Sequence, residues 1–224
     1  MGWDSVWDEV FKSGKWGKYP SEELVRFVAR NFYSVPDRSA IKILEVGCGP
    51  GGNLWFLANE GFATFGIDGS LIAIDQARQR LDGAVPGWSN LGKLYVGDIK
   101  NIPLPDGSMD AVIDNECVYC NTLSDAKLLY TEIARVLRPG GHLFVRTFAE
   151  GSWGVGTGTQ VEPDTWLSSS GPAAGKGIMR VTRAADIPAL LGNVRVTHLE
   201  LVTLSCENRT QTIREWIIYG IKQG

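Results

Sequence analysis

Short apolar runs rich in β-branched residues alternate along this chain with longer segments whose apolar residues recur every three or four positions. The short runs are typical of buried strands, and the wider spacing is typical of helices with one apolar face. Because strands that alternate with helices are joined by crossover connections, the pattern predicts a doubly wound α/β fold with a mostly parallel sheet. The first five predicted strands span residues 41–46, 62–67, 93–96, 109–113 and 142–148.

Start and stop signals bound the helices between these strands. One helix precedes the first strand, over residues 21–32, and a second follows the first strand and ends at Gly61. A third carries an apolar stripe over residues 71–81. The fourth begins at Thr122, which has capping-box spacing, and we expect Pro139-Gly140-Gly141 to end it.

The end of the chain predicts a reversed strand. A short helix over residues 184–191 is followed by strands over 194–204 and 212–221, which Glu207-Asn208-Arg209 joins. Parallel neighbours need a crossover of a dozen or more residues, so a turn this short makes the two strands antiparallel. The sheet is therefore expected to be parallel except for its last strand.

Residues 149–182 depart from the alternation. They hold seven glycines together with Trp153 and Trp166, and they show no clear periodicity. Loops of this length in compact domains are usually functional or disordered. Because disordered segments are poor in aromatic residues, we interpret this one as an ordered lid, with a plain insertion as the alternative.

The first nineteen residues have an aromatic density that an exposed tail does not need. They predict either a helix fastened to the sheet or a lid over the functional site, with Trp16 and Tyr19 in the pocket wall. Both flanking segments are expected to be mobile in the free protein and ordered by ligand. The aromatic residues concerned are Trp3, Trp7, Phe11, Trp16 and Tyr19.

Composition narrows the functional classes. The 224 residues include 22 Lys and Arg against 25 Asp and Glu, and this net charge of −3 argues against a nucleic-acid partner. No apolar stretch is long enough to span a membrane and no leader pattern is present, so we expect a cytoplasmic protein without a membrane partner. The four cysteines include Cys117 and Cys120, a CxxC pair without further ligands at zinc spacing, so no metal is expected.

The segment after the first strand carries the clearest chemical signal. It reads Glu45-Val46-Gly47-Cys48-Gly49-Pro50-Gly51-Gly52, and glycines there allow a tight turn and close approach of a ligand to the backbone. Asp68 ends the second strand 21 residues after Gly47, where a carboxylate accepts both hydroxyls of a ribose. These features suit NAD or any other adenosine ligand.

The motifs that follow resemble those of class I S-adenosylmethionine-dependent methyltransferases, in the same order and over residues 41–148. Within that superfamily the chain is similar to small bacterial members related to the ubiquinone-biosynthesis type, above all over Glu132 to Gly141. The five motifs that carry the resemblance are Glu45 to Gly51, Ile67-Asp68, Val96 to Ile99, Leu104 to Asp110 and Ala134 to Leu143.

The resemblance implies a single methyltransferase domain over residues 1–224, with a seven-stranded sheet and S-adenosyl-L-methionine as cofactor. Its parts are an N-terminal helical cap (1–40), the cofactor-binding core (41–148), the insertion (149–182) and a C-terminal helix with a β-hairpin (183–224).

The resemblance also implies roles for individual residues. The methionine part of the cofactor would lie among the glycines of the turn, with a carboxylate at the turn and an amide after the fourth strand. The adenosine part would be held by two acids and one apolar side chain. In chain order the cofactor-binding residues are Glu45, Gly47, Gly49, Gly51, Asp68, Asp98, Ile99 and Asn115.

The acceptor chemistry is less defined. Neither histidine is an obvious base, because His142 opens its strand at the edge opposite the site and His198 lies within a strand. Glu116 is the first choice for a general base, with a lining residue as the alternative. The expected function is methyl transfer to a small-molecule substrate; a non-catalytic cofactor-binding subunit or regulator and an NAD(P) oxidoreductase remain open, and the sequence does not indicate an oligomeric state.

Overall fold

The computed structural model describes residues 3–14 and 17–224 of the chain. The helices are α1 (Val6–Ser13), α2 (Glu22–Phe32), α3 (Gly52–Asn59), α4 (Leu71–Ala84), α5 (Leu123–Val136) and α6 (Ile187–Leu191). The strands are β1 (Lys42–Val46), β2 (Ala63–Asp68), β3 (Lys93–Val96), β4 (Met109–Asn115), β5 (Leu137–Phe148), β6 (Thr159–Glu162), β7 (Thr165–Leu167), β8 (Met179–Arg180), β9 (Val194–Cys206) and β10 (Gln211–Lys222).

The main sheet has seven strands in the order β3-β2-β1-β4-β5-β10-β9. The pairs from β3 to β5 are parallel, and β10 runs antiparallel to both β5 and β9. The predicted fold class is therefore confirmed, including the reversed last strand. Parallel strands end at one edge of the sheet, and this places the turns after β1, β2, β4 and β5 side by side.

Helices cover both faces of this sheet. Successive side chains of a strand point to opposite faces. Ile43 packs with Phe27 of α2, whereas Leu44 packs with Ile133 of α5. The helices α3 and α4 share a third apolar cluster that includes Ile74. The strands are thus buried from both sides, which is why the sequence shows them as continuous apolar runs.

Two predicted boundaries were wrong. Helix α5 ends at Val136, before Pro139-Gly140-Gly141, and β5 begins at Leu137 because Leu137 already pairs with Met109 of β4. Strand β4 continues to Asn115, because Asp114 and Asn115 pair with β5. The buried carboxylate of Asp114 then accepts hydrogen bonds from the amides of Cys117 and Val118 in the following turn (3.0 and 3.1 Å). Tertiary pairing thus keeps glycine and polar residues in strands that their composition disfavours.

Within the described residues, both flanking segments contain regular secondary structure. Residues 149–182 contain the three-stranded antiparallel sheet β6-β7-β8, and Ala149 bridges to Thr182 at its base. Helix α1 lies against α4, with the side-chain amide of Gln76 donating to the carbonyl of Phe11 (3.1 Å). Among the residues that the structure describes, none of the helices is both long and apolar enough to cross a membrane.

Candidate active site

The turn between β1 and α3 is built from glycines in left-handed conformations. Gly47 has φ +62°, and a Cβ added there would lie 2.2 Å from Sγ of Cys117. Gly51 has φ +73°, and its added Cβ would lie 2.9 Å from Cβ of Ala77. Only glycine satisfies both the backbone angle and the close approach at these positions. The turn therefore leaves its amide groups open to a ligand at the start of α3.

Asp68 connects this turn to the end of β2. Its carboxylate accepts hydrogen bonds from the amides of Gly49 (2.8 Å) and Ser70 (2.9 Å). Burial raises the pKa of Asp68, and the two amides oppose that shift. Since each carboxylate oxygen has a second lone pair, Asp68 can hold the turn in place and still accept hydroxyl groups of a ligand.

Two buried oxygen atoms near the turn lack a hydrogen-bond partner among the described residues. Glu45 accepts a bond from Asn53 Nδ2 to its Oε1 (2.6 Å), while its Oε2 has no partner. Oδ1 of Asn115, at the end of β4, is also without one. Burial raises the pKa of Glu45 to about 8. Because buried acceptors without a partner are costly, this pair predicts a ligand that brings hydrogen-bond donors, ideally with a positive charge.

The next turn along the sheet edge follows β3. Asp98 accepts a hydrogen bond from the amide of Lys100 (2.9 Å) and thereby caps the short 3-10 helix Ile99–Asn101. Asp98 is exposed and Ile99 is half-buried, and both line the same cavity as Asp68. The hydrogen bond to Lys100 gives Asp98 a structural role in this turn, and its position on the cavity also allows it to contact a ligand.

A cavity of about 420 Å³ joins these groups. Its floor is the sheet edge, from Gly47 across to Arg146 of β5. Its walls come from both flanking segments, with Trp7 and Phe11 on one side and Pro172 and Lys176 on the other. The two segments also meet each other, because a Cβ added at Gly177 would lie 3.1 Å from Oδ2 of Asp4.

The end of the cavity beyond β4 contains a charged cluster. Glu116 has φ +59°, an unfavourable angle for a residue with a side chain, and its amide donates to the carbonyl of Arg146 (2.9 Å). Arg146 binds the carboxylates of both Glu116 (3.1 Å) and Glu215 (2.6 Å). Burial and the neighbouring Glu215 raise the pKa of Glu116, and Arg146 opposes this. Two carboxyl groups thus share one guanidinium group, so only part of their mutual repulsion is offset.

Comparisons with known proteins agree with this geometry. Residues 44–145 match a family model described as a methyltransferase domain. The chain is 29% identical over 159 residues to a probable chloroplastic tocopherol O-methyltransferase of Oryza sativa subsp. japonica, covering 65% of this chain and 43% of that protein. It is 36% identical over 128 residues to a fatty-acid O-methyltransferase of Mycolicibacterium smegmatis, covering 54% and 43%. The chain thus spans less than half the length of these curated relatives.

A solved structure extends the likeness to the whole fold. A SAM-dependent methyltransferase from Methanosarcina mazei superposes with a TM-score of 0.70 at 19% identity, over 92% of this chain and 99% of that one. The fold of this chain is thus shared with a solved SAM-dependent methyltransferase. Two further solved methyltransferases with a similar fold hold S-adenosylhomocysteine or SAM.

The residues of this site fit S-adenosyl-L-methionine. S-adenosylmethionine carries an ammonium group, and Oε2 of Glu45 and Oδ1 of Asn115 are unpartnered acceptors for its protons. Its ribose hydroxyls match the acceptor capacity of Asp68. The acidic groups that line this half of the cavity, Asp4, Glu45, Asp68 and Asp98, also suit a sulfonium cation.

The aromatic residues predicted for the pocket wall have mixed outcomes. Tyr19 lines the cavity, but it is 71% exposed at the rim, with its ring 5.7 Å from that of Trp55. The prediction for Trp16 lies outside the described residues. Trp3, Trp7 and Phe11, which the sequence places in the same segment, line the cavity as well.

Both histidines lie away from the reacting end of the cavity. The ring of His142 packs against Phe27 and Phe32, and burial lowers its pKa. His198 stacks on Tyr219, with ring centroids 4.6 Å apart. Neither histidine lines the cavity.

Sequence reasoning missed three groups near the site. Asn53 binds Glu45, Glu215 shares Arg146 with Glu116, and Lys176 lines the cavity from the insertion. Asn53 was detectable, because it directly follows the glycines as the second residue of α3. No sequence signal marks Glu215 or Lys176, since each reaches the site only through tertiary pairing.

Proposed function

We propose that this protein transfers the methyl group of S-adenosylmethionine to a small-molecule acceptor that binds in the same cavity. The observation that carries the proposal is the continuity of that cavity from Glu45 and Asp68 to Glu116 and Arg146. Its volume, about 420 Å³, is in the range of small-molecule sites, which is roughly 300–1,000 Å³. The names of the two curated relatives, a tocopherol and a fatty-acid O-methyltransferase, support an acceptor of this size.

The chain's own residues mainly position the two reactants and contribute few reactive groups. When bound, the cofactor supplies a sulfonium-activated methyl group for in-line displacement. Holding two reactants in the correct geometry can account for a large part of a rate enhancement. Here Asp68 and Glu45 lie at one end of the cavity, and α1 and the insertion contribute its walls. Cys117 and Cys120 line the site, but burial raises the pKa of both thiols, to about 12 for Cys120, so they stay protonated at neutral pH.

Glu116 is the residue proposed to touch the acceptor. It lines the cavity and keeps 32% of its side chain exposed. A carboxylate there can accept the proton that a hydroxyl or amine acceptor loses on methylation. Because burial and Glu215 raise the pKa of Glu116, the group becomes a base only as pH rises above the ordinary carboxyl range.

Replacing Glu116 by Gln is expected to lower kcat about 100-fold, at the low end of what general bases contribute, and to leave cofactor affinity within about twofold. The pH profile of the wild-type kcat should rise through the pKa of Glu116, and the rise should be absent in the variant. Steady-state methyl-transfer assays from pH 6 to 9 measure both. Glu207→Gln, in the exposed turn between β9 and β10, is the matched control. Unchanged kcat in Glu116→Gln would make Glu116 a lining residue only.

The proposed function itself is tested in two steps. Thermal shift with S-adenosylmethionine, S-adenosylhomocysteine and NAD should show stabilisation by the first two alone, because only a ligand of the native state raises Tm. Incubation with methyl-labelled S-adenosylmethionine and a metabolite extract should then label a small molecule. Cofactor binding without any labelled product would favour the non-catalytic alternative, and stabilisation by NAD alone would overturn the assignment.

We further propose that the relation to the ubiquinone-biosynthesis type holds within the class I family. The support is the sequence Glu132 to Gly141, at the end of α5 and the start of β5. In the structure Arg135 binds Glu132 (2.8 Å) and Asp106 (2.6 Å), so this stretch holds the turn before β4. These ion pairs have a structural role, and they lie at the edge of the sheet opposite the cavity.

A further inference from the structure

The side chain of Trp3 packs directly against Gly69, the residue that follows Asp68 at the end of β2. A Cβ added at Gly69 would lie 2.1 Å from both Cγ and Cδ1 of Trp3. The indole therefore lies directly on the glycine backbone and takes the volume that a side chain at position 69 would need. The absence of a side chain at Gly69 is what allows Trp3 to approach the sheet edge.

The indole of Trp3 is also partly exposed to solvent, although it packs against Gly69. It remains 39% exposed, and it lines the cavity together with Asp68, Asp98 and Ile99. An apolar ring that only fastened the segment would be more stable if it were fully buried. A ring that borders a cavity beside two acids is instead suited to stack on a planar base.

Several hydrogen bonds hold the segment so that it presents this ring. The amide of Val6 donates to Oδ1 of Asp4 at the start of α1 (3.0 Å). The hydroxyl of Ser70 donates to Asp8, and the amide of Ser70 donates to Asp68. Asp68 is therefore connected through Ser70 to the helix that follows Trp3. The position of Trp3 and the position of the ribose acid are thus linked.

We propose that Trp3 forms one wall of the adenine site, with Ile99 as the other apolar contact, and that it positions the cofactor from outside the matched core. The proposal rests on S-adenosylmethionine as the cofactor of the proposed function. It follows that the adenosine part of the cofactor, without any acceptor, orders the segment that contains Trp3. Hydrogen exchange in residues 3–14 should then slow when S-adenosylhomocysteine alone binds.

Calorimetry with two ligands separates this role from a general effect on the fold. S-adenosylhomocysteine contains both the adenosine and the amino-acid parts, whereas methylthioadenosine lacks the amino acid. Trp3→Ala should weaken both ligands by roughly tenfold, the scale of base stacking on an aromatic ring, and Trp3→Phe should keep most of the affinity. Glu45→Gln should weaken S-adenosylhomocysteine and leave methylthioadenosine unchanged. Leu71→Ala, an exposed apolar truncation at the start of α4, is the control for position.

The outcomes distinguish failure of the adenine-wall proposal from failure of the proposed function on which it rests. If wild-type protein binds neither ligand, the proposed function fails. If wild-type protein binds both and Trp3→Ala binds them equally well, with an unchanged Tm, the adenine wall is overturned. A loss for S-adenosylhomocysteine alone in Trp3→Ala would place the ring at the amino-acid end and would also overturn it. A loss for both ligands that Trp3→Phe restores supports it.

Discussion

Replacing Asp68 by Ala should weaken S-adenosylmethionine binding by roughly 1.5–3 kcal/mol, or about 10- to 150-fold in Kd, the usual range for hydrogen bonds to a charged group. Two bonds to backbone amides hold the carboxylate of Asp68 at the end of β2, so under the proposed function it would accept the ribose hydroxyls without reorganising. Titration calorimetry of the wild type and the variant measures the difference.

The same two amide bonds mean that the alanine variant also loosens the glycine turn. Asp68→Asn separates the two effects, because the amide side chain keeps one acceptor oxygen and similar volume. Its affinity should lie between those of the wild type and Asp68→Ala. Asp75→Ala, at an exposed position on α4, is the matched control and should bind normally. Wild-type affinity in a folded Asp68→Ala protein would remove Asp68 from the cofactor site.

Replacing Glu45 by Gln should abolish a pH dependence of cofactor binding. Burial raises the pKa of Glu45 to about 8 in the free protein, so the group is protonated at pH 6–7.5. An ammonium group at its Oε2 would favour the carboxylate, so binding should release a proton. Wild-type affinity should therefore rise with pH, approaching tenfold per unit, until the cofactor's own amine, near pH 7.7–8.0 for an α-amino group, begins to deprotonate.

The Gln variant mimics the protonated acid and should bind with a flat profile over the same range. Calorimetry in two buffers with different ionisation enthalpies counts the released proton directly. Equal proton release in the wild type and the variant would contradict the assignment of Glu45 to the ammonium group.

Stability of the free protein provides an independent check on Glu45. A carboxyl group whose pKa is raised by folding binds its proton more tightly in the native state, so its contribution to stability is present at low pH and is lost as pH rises from about 4.5 toward 8. Gln does not titrate. The Tm of Glu45→Gln minus that of the wild type should therefore increase from pH 5 to pH 8. A constant difference in Tm would mean that folding does not raise the pKa of Glu45.

The part of the cavity around the glycine turn was largely predictable because its elements follow one another in sequence. Strand, glycine turn and helix are adjacent from Lys42 to Asn59, and the turn needs positive φ at Gly47 and Gly51, which only glycine adopts readily. Asp68 ends the next strand, and parallel strands bring their ends together. Local pattern and general topology together therefore place these groups at one edge.

The end of the cavity beyond β4 depends on strand and helix pairings that no local sequence pattern encodes. Arg146 and Glu215 are 69 positions apart and meet because β10 pairs antiparallel with β5. Trp3 reaches Gly69 because α1 packs on α4. The start of β5 at Leu137 was missed for the same reason, since pairing with β4 outweighs the turn composition that follows.

The sequence by itself determined the order of the strands of the main sheet and of the helices between them, the reversed last strand, and the acids at the ends of β1 and β2. Hydrophobic periodicity and turn chemistry act over a few residues, and they are sufficient for these features. Only the tertiary structure decided which carboxyl groups share Arg146, which oxygen atoms of Glu45 and Asn115 remain without partners, and which ring lies on Gly69. These depend on burial and on contacts between distant segments, and burial sets the pKa values on which the chemistry depends.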